Sequence, residues 1–100
     1  MIVFNTTYTM PVADARNFVI WVRESVIPSI EQDGRMKNAR LLRILSRHEE
    51  DTECMGLQME TDSTAILHRW YAEMGHKMNE ELLKMFDQRI VGFSTMMEEI

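Results

Sequence analysis

The stretch Ala39–Thr61, ARLLRILSRHEEDTECMGLQMET, decides the fold. Two apolar-rich runs, Ala39–His48 and Glu53–Thr61, flank the polar piece Glu49-Glu50-Asp51-Thr52. Both runs read as strands, and the piece between them suits a hairpin turn, although it lacks the glycine of the tightest turns. With Glu50 and Asp51 as the turn, Leu42 faces Met59, Ile44 faces Leu57 and Ser46 faces Met55. Strand side chains alternate, so these residues share one side. The opposite side sets Leu41 against Glu60, Arg43 against Gln58, Leu45 against Gly56 and Arg47 against Cys54. The first side is almost entirely apolar and belongs beneath helices. The second is mixed. A face open to water rarely keeps Leu41 and Leu45 at its centre, and a core rarely keeps Arg43 and Glu60. Partial burial against another sheet, with a polar pocket between, fits both facts.

Working outward, Ile2–Tyr8 (IVFNTTY) is β-branched and aromatic and reads as a first strand. Ile2, Phe4 and Tyr8 take the helix side; Val3, Asn5 and Thr7 take the open side. Pro11 is suited to open a helix. Val12, Ala15, Phe18, Val19, Val22, Val26 and Ile30 then recur at helical spacing. Pro28 predicts a kink or a new turn near Val26, and Gly34 a left-handed stop. Downstream of the hairpin, Asp62 is a candidate N-cap. Ile66, Trp70, Met74, Met78 and Leu82 form a stripe at spacing four, flanked by Leu67, Tyr71, Met85 and Phe86, which predicts a long amphipathic helix. Trp70 lies on the stripe and is expected to be buried. Gly75 inside that helix costs about 1 kcal/mol relative to Ala, so a bend or a close neighbour is expected there. Arg89–Met97 reads as the last strand. The order β-α-β-β-α-β defines an α+β, ferredoxin-like domain over residues 1–100. It has a four-stranded antiparallel sheet in the order 4-1-3-2 and two helices on one face.

Composition narrows the function. The net charge of −5, from 16 acidic and 11 basic residues, argues against a generic nucleic-acid binder. No apolar run is long enough for a membrane helix, and MIVFNTTYTM does not have the pattern of a signal peptide. The single cysteine, Cys54, cannot form an internal disulfide, so a reducing cytoplasm is expected. The ten methionines read as adaptable core filler.

No metal site is expected, because His48, His68 and His76 are scattered without HxH or HExxH spacing. Neither a glycine-rich phosphate loop nor a nucleophile elbow occurs. The best candidate site is the polar set Asn5, Arg43, Gln58 and Glu60 on the half-buried sheet face, where a few convergent polar groups can fix a small ligand. The alternative is an Arg43–Glu60 pair with Gln58 beside it, serving only an interface. Trp70 and His76 are candidates for a pocket on the helix side.

The segments Met1–Met10, Ala39–Asp51, Leu57–Ser63 (LQMETDS), Glu80–Phe86 (EELLKMF) and Gly92–Ile100 (GFSTMMEEI) resemble a bacterial domain-of-unknown-function family, number 4286. The resemblance covers nearly the whole chain and implies membership of the dimeric α/β barrel superfamily. Two subunits there pack their open sheet faces into a barrel, and ligands sit between sheet and helices. It implies a homodimer that binds a small molecule or a protein partner. The alternative it implies is a cofactor-independent monooxygenase or a haem-binding, haem-degrading relative, so haem is the one cofactor raised. Haem-degrading members use an Asn on the first strand with a Trp and a His on the second helix, and Asn5, Trp70 and His76 occupy similar elements. Trp70 and His76 are six residues apart, about 600° of helical rotation, which sets them on different faces.

Overall fold

The computed structural model describes residues 1–45 and 49–100. Strands β1 (Ile2–Pro11), β2 (Lys37–Arg43), β3 (Thr52–Thr61) and β4 (Val91–Glu98) form one sheet in the order β2-β3-β1-β4. All neighbours are antiparallel. This is the expected order. Long connections run from β1 to β2 and from β3 to β4, and each carries a helical rod.

The first rod is α1 (Val12–Trp21), a wide turn at Val22–Val26, and α2 (Ile27–Asp33). The second is α3 (Thr64–Trp70), a wide turn at Tyr71–Gly75, and α4 (His76–Phe86). In each wide turn an N–H reaches five residues back, Ile27 to Val22 O and His76 to Tyr71 O. Pro28 explains the first. It lacks an N–H, and its ring crowds the carbonyl four residues earlier, that of Glu24, which lies within the wide turn. The rod ends at Gly34, whose φ of 83° is cheap only for glycine and whose N–H closes on Ile30 O at 3.1 Å. The second rod is capped by Ser63, whose side chain accepts from Ile66 N–H at 3.2 Å, and not by Asp62 as expected. Asp62 instead pairs with Lys37 at 3.4 Å.

Phe4, Tyr8, Met55, Leu57 and Met59 point from the sheet into the core. They meet Phe18, Trp21, Leu67, Trp70 and Phe86 from the rods. Each such side chain contributes roughly 1.5–3 kcal/mol on burial. Trp21, which lies outside the helical stripe of the sequence, stitches the rods together: its Nε1 donates to Glu81 Oε1 at 3.0 Å. Arg35 adds a second link, bonding Asp33 at 2.9 Å and Glu73 at 2.6 Å.

The hairpin register differs from expectation. Arg40 pairs with Gln58, Leu41 with Leu57, Leu42 with Gly56 and Arg43 with Met55. From Arg40 to Arg43 the offset is three residues, an odd number, so these β2 side chains change face while β3 keeps its own. Leu42, expected under the helices with Ile44, therefore lies on the open face. Ala39 and Leu41 pack against the core in its place. The cause is the connection, which is longer than a two-residue turn at Glu50-Asp51: Ile44 N–H bonds Cys54 O at 2.9 Å, and Thr52 N–H bonds Glu49 O at 3.2 Å. The pairings expected for Ser46 and Arg47, and the position of His48, fall outside the described residues.

Candidate functional site

The sheet's open face carries a polar band across all four strands. Gln58 pairs with Arg40 on one side and Asn5 on the other, and Asn5 pairs with Thr95. Arg40, and not Arg43, holds the arginine position. Its Nη2 donates to Gln58 Oε1 at 3.0 Å, and its Nη1 to Glu60 Oε2 at 3.2 Å and Asn38 O at 3.0 Å. Asn38 sits at a positive φ of 55°, where β2 slips register by a residue, and its amide donates to Glu60 at 3.0 Å. These bonds hold the Glu60 carboxyl below its ordinary range, Asn38 first and Arg40 second. Asn5 Nδ2 donates to Thr7 Oγ1 at 3.0 Å. Three of the four expected residues, Asn5, Gln58 and Glu60, are thus brought together. Arg43 is on the other side of the sheet, ion-paired with Glu53. The band satisfies itself, and its arginine is already committed to three acceptors.

Apolar residues flank the band. Leu42, Gly56, Thr7 and Phe93 form the next row, with Leu42 43% and Phe93 64% exposed. Val91 and Met97 are exposed farther along β4, whose eight residues are all exposed. A patch of this kind needs a cover.

The helix side holds a different constellation. A small chamber of about 20 Å3 lies between β1, β3, β4 and the second rod, lined by Thr6, Tyr8, Met59, Trp70, Asn79 and Ser94 among others. An apolar cleft of about 290 Å3 adjoins it, with Leu67, His68, Ala72 and Met96 on its walls. Phe4, Tyr71 and Ser94 line both. Thr6 and Ser94 share a hydroxyl hydrogen bond of 2.9 Å. Asn79 Nδ2 donates to Tyr71 Oη at 3.3 Å. Burial, and then the neighbouring Tyr71, push the Tyr8 hydroxyl up to about 12, so it stays protonated at neutral pH. Trp70 is 1% exposed, and its indole N–H has no acceptor among the described residues. A buried donor without a partner costs about 1–3 kcal/mol, so it marks a place where a ligand acceptor would be favourable.

Glycines make the space. A Cβ on Gly75 would stand 2.9 Å from the Tyr71 ring, and one on Gly92 would stand 2.9 Å from the Tyr8 ring. Gly75 therefore owes its place in the helix to a close neighbour. His76 is exposed and bonds Glu80 at 3.0 Å, away from the chamber. Asn5 is on the open face, so Asn5, Trp70 and His76 do not converge. The residues present do not fit the haem-degrading arrangement. Among the described residues no group of three His, Cys, Asp or Glu could hold a metal ion, and no helix is long and apolar enough to cross a membrane.

The element order and the antiparallel sheet β2-β3-β1-β4 define a ferredoxin-like fold. The chain belongs to the family described as Domain of unknown function (DUF4286), whose model matches residues 1–100. No curated protein matches it. Several solved structures share the fold. A provisionally described antibiotic biosynthesis monooxygenase from Deinococcus radiodurans superposes with a TM-score of 0.77 at 14% identity, covering 100% of this chain and 93% of that one. A dimeric ferredoxin-like protein from an uncultured marine organism gives 0.63 at 13%, covering 99% and 97%. SnoaB, a cofactor-independent oxygenase from Streptomyces nogalater, gives 0.60 at 11%, covering 98% and 91%. At these identities the likeness is one of fold.

Proposed function

We propose that this chain is a single cytoplasmic domain that pairs with a second copy of itself and binds a small molecule between its sheet and its second rod. The reading is carried by Trp70, which lines a chamber with aromatic walls and whose buried indole N–H has no partner among the described residues. Concave, mostly apolar sites with a few fixed polar groups are the usual form of small-molecule sites. The self-satisfied band of Arg40, Gln58 and Glu60 favours an interface on the open face over a ligand site there, because no guanidinium is left free for an anion. The exposed Leu42, Phe93 and Val91 supply the apolar part of that interface. The neighbour described as dimeric supports the same arrangement.

A second reading is a cofactor-independent monooxygenase, supported by the fold shared with SnoaB and the Deinococcus protein. Against it, the chamber is lined by no His, Asp, Glu or Lys, Tyr8 is held protonated, and the one imidazole nearby, His68, is on the wall of the adjoining cleft. The two readings separate in one experiment. Thermal shifts against neutral and acidic aromatics report binding, and an oxygen electrode with 1-naphthol reports turnover. Binding without oxygen uptake supports the first reading; oxygen uptake that Trp70→Phe abolishes supports the second.

A further inference from the structure

Resting on the helix-side pocket proposed above, we infer that its ligand is a neutral, flat molecule with one hydrogen-bond acceptor, and that Tyr71 is the door through which it enters. None of the residues lining the chamber is Lys, Arg, Asp, Glu or His, and the cleft adds one imidazole, His68, outside the chamber. An anion drawn into such a place would be buried without a counter-charge, which is costly, whereas a carbonyl or ether oxygen would satisfy the Trp70 N–H. The chamber's 20 Å3 is about enough for one small group, since one water needs roughly 10–15 Å3 by the same measure. The bulk of a ligand must therefore occupy the 290 Å3 cleft, with only its acceptor in the chamber. The shared walls are aromatic: Phe4 meets Trp70 edge-on at 6.4 Å and Tyr71 edge-on at 5.8 Å. Such walls favour a flat ring packed against them.

Of the three residues common to chamber and cleft, two are held fast. Phe4 is buried in the central strand β1, and Ser94 is bonded to Thr6. Tyr71 is different. It is 41% exposed, and its hydroxyl is tethered by the single 3.3 Å bond from Asn79, near the weak end of hydrogen-bond lengths. Its ring lies against the bare backbone of Gly75, so the side chain folds along the rod over the chamber. Rotation of an exposed ring toward solvent is fast, and it would join chamber and cleft into one cavity.

The test uses the full chain and three probes of one shape: 2-acetylnaphthalene, 2-ethylnaphthalene and 2-naphthoate. Titration calorimetry should show the ketone binding about tenfold tighter than the hydrocarbon and the carboxylate, the worth of one buried hydrogen bond. Trp70→Phe should close the gap between ketone and hydrocarbon. If that variant does not fold, the gap in the wild-type protein decides the ligand class alone. Stopped-flow association of the ketone should rise about tenfold in Tyr71→Ala, with a smaller rise in Tyr71→Phe, which keeps the ring but loses the tether. Naphthoate binding as tightly as the ketone, or a ketone–hydrocarbon gap under about threefold, overturns the ligand class. An unchanged association rate in Tyr71→Ala overturns the door. If no probe binds wild type or Tyr71→Ala, the pocket itself falls, and this inference with it.

Discussion

The ring of Tyr71 rests on the backbone of Gly75, with its Cδ2 2.9 Å from where a glycine Cβ would be. The contact spans one wide helical turn and closes the outer side of a chamber bounded by Trp70. It ties a rule of local structure, that glycine weakens a helix, to the shape of the candidate site.

Gly75→Ala should therefore stabilise by less than the roughly 0.5–1 kcal/mol that Ala gains over Gly in an ordinary helix, because the Tyr71 ring must swing away first. In a Tyr71→Ala background the same change should stabilise by about that amount, because the ring it would meet is gone. Thermal melts of the double-mutant cycle check this. Equal stabilisation by Gly75→Ala in both backgrounds would show that the ring makes no contact there.

Trp70→Ala should cost about 3–5 kcal/mol, from lost burial and the cavity left behind. Trp70→Phe should cost distinctly less, because the indole N–H it removes has no partner to lose. Denaturant midpoints for the two variants measure the difference. Equal costs would mean that the N–H is bonded in the folded protein.

Arg35 bonds Asp33 and holds its carboxyl below the ordinary range, chiefly through the side-chain hydrogen bonds. With the folded value below the unfolded one, this stabilisation is complete above the unfolded value, about 4, and is lost as pH falls through the folded value. Melting temperature should fall from about pH 5 toward pH 2 less steeply in Arg35→Gln than in the wild type. Parallel slopes would assign acid sensitivity to other carboxyls.

Phe93→Asp places a charge in the exposed apolar row that includes Leu42. Sedimentation equilibrium should show a wild-type dimer at micromolar concentration and a folded Phe93→Asp monomer. A stable pair should bury more than about 1,000 Å2 in total. A wild-type monomer would overturn the pairing, and a dimer indifferent to the substitution would place the contact elsewhere.

The topology was legible because each element announces itself: β-branched residues in Ile2–Tyr8, the spacing-four stripe through Trp70, and the glycine stop at Gly34. The face of β2 was not. ARLLRIL carries apolar residues on both parities, Ala39 and Leu41 on one and Leu42 and Ile44 on the other, so alternation alone does not choose. The turn had to decide it, and without an Asn-Gly or Asp-Gly pair the turn was open. That is why Arg43 was read into a site that Arg40 occupies. Asn5, Gln58 and Glu60 were placed on the right face because β1 and β3 alternate cleanly. The chamber was only partly legible. The stripe pointed to the burial of Trp70, but its missing acceptor depends on what β1 and β4 present to it. The one usable signal for Tyr71 was Gly75, four residues on in the same helix.

The most direct measurement is the indole N–H signal in a nitrogen–proton correlation spectrum during titration with 2-acetylnaphthalene. The chain has two tryptophans, and Trp21 already donates to Glu81. A downfield shift of the Trp70 indole proton, with Trp21 unmoved, is the predicted result. An unchanged Trp70 signal at saturating ketone, or a shift at Trp21 alone, would contradict a ligand site between the sheet and the second rod.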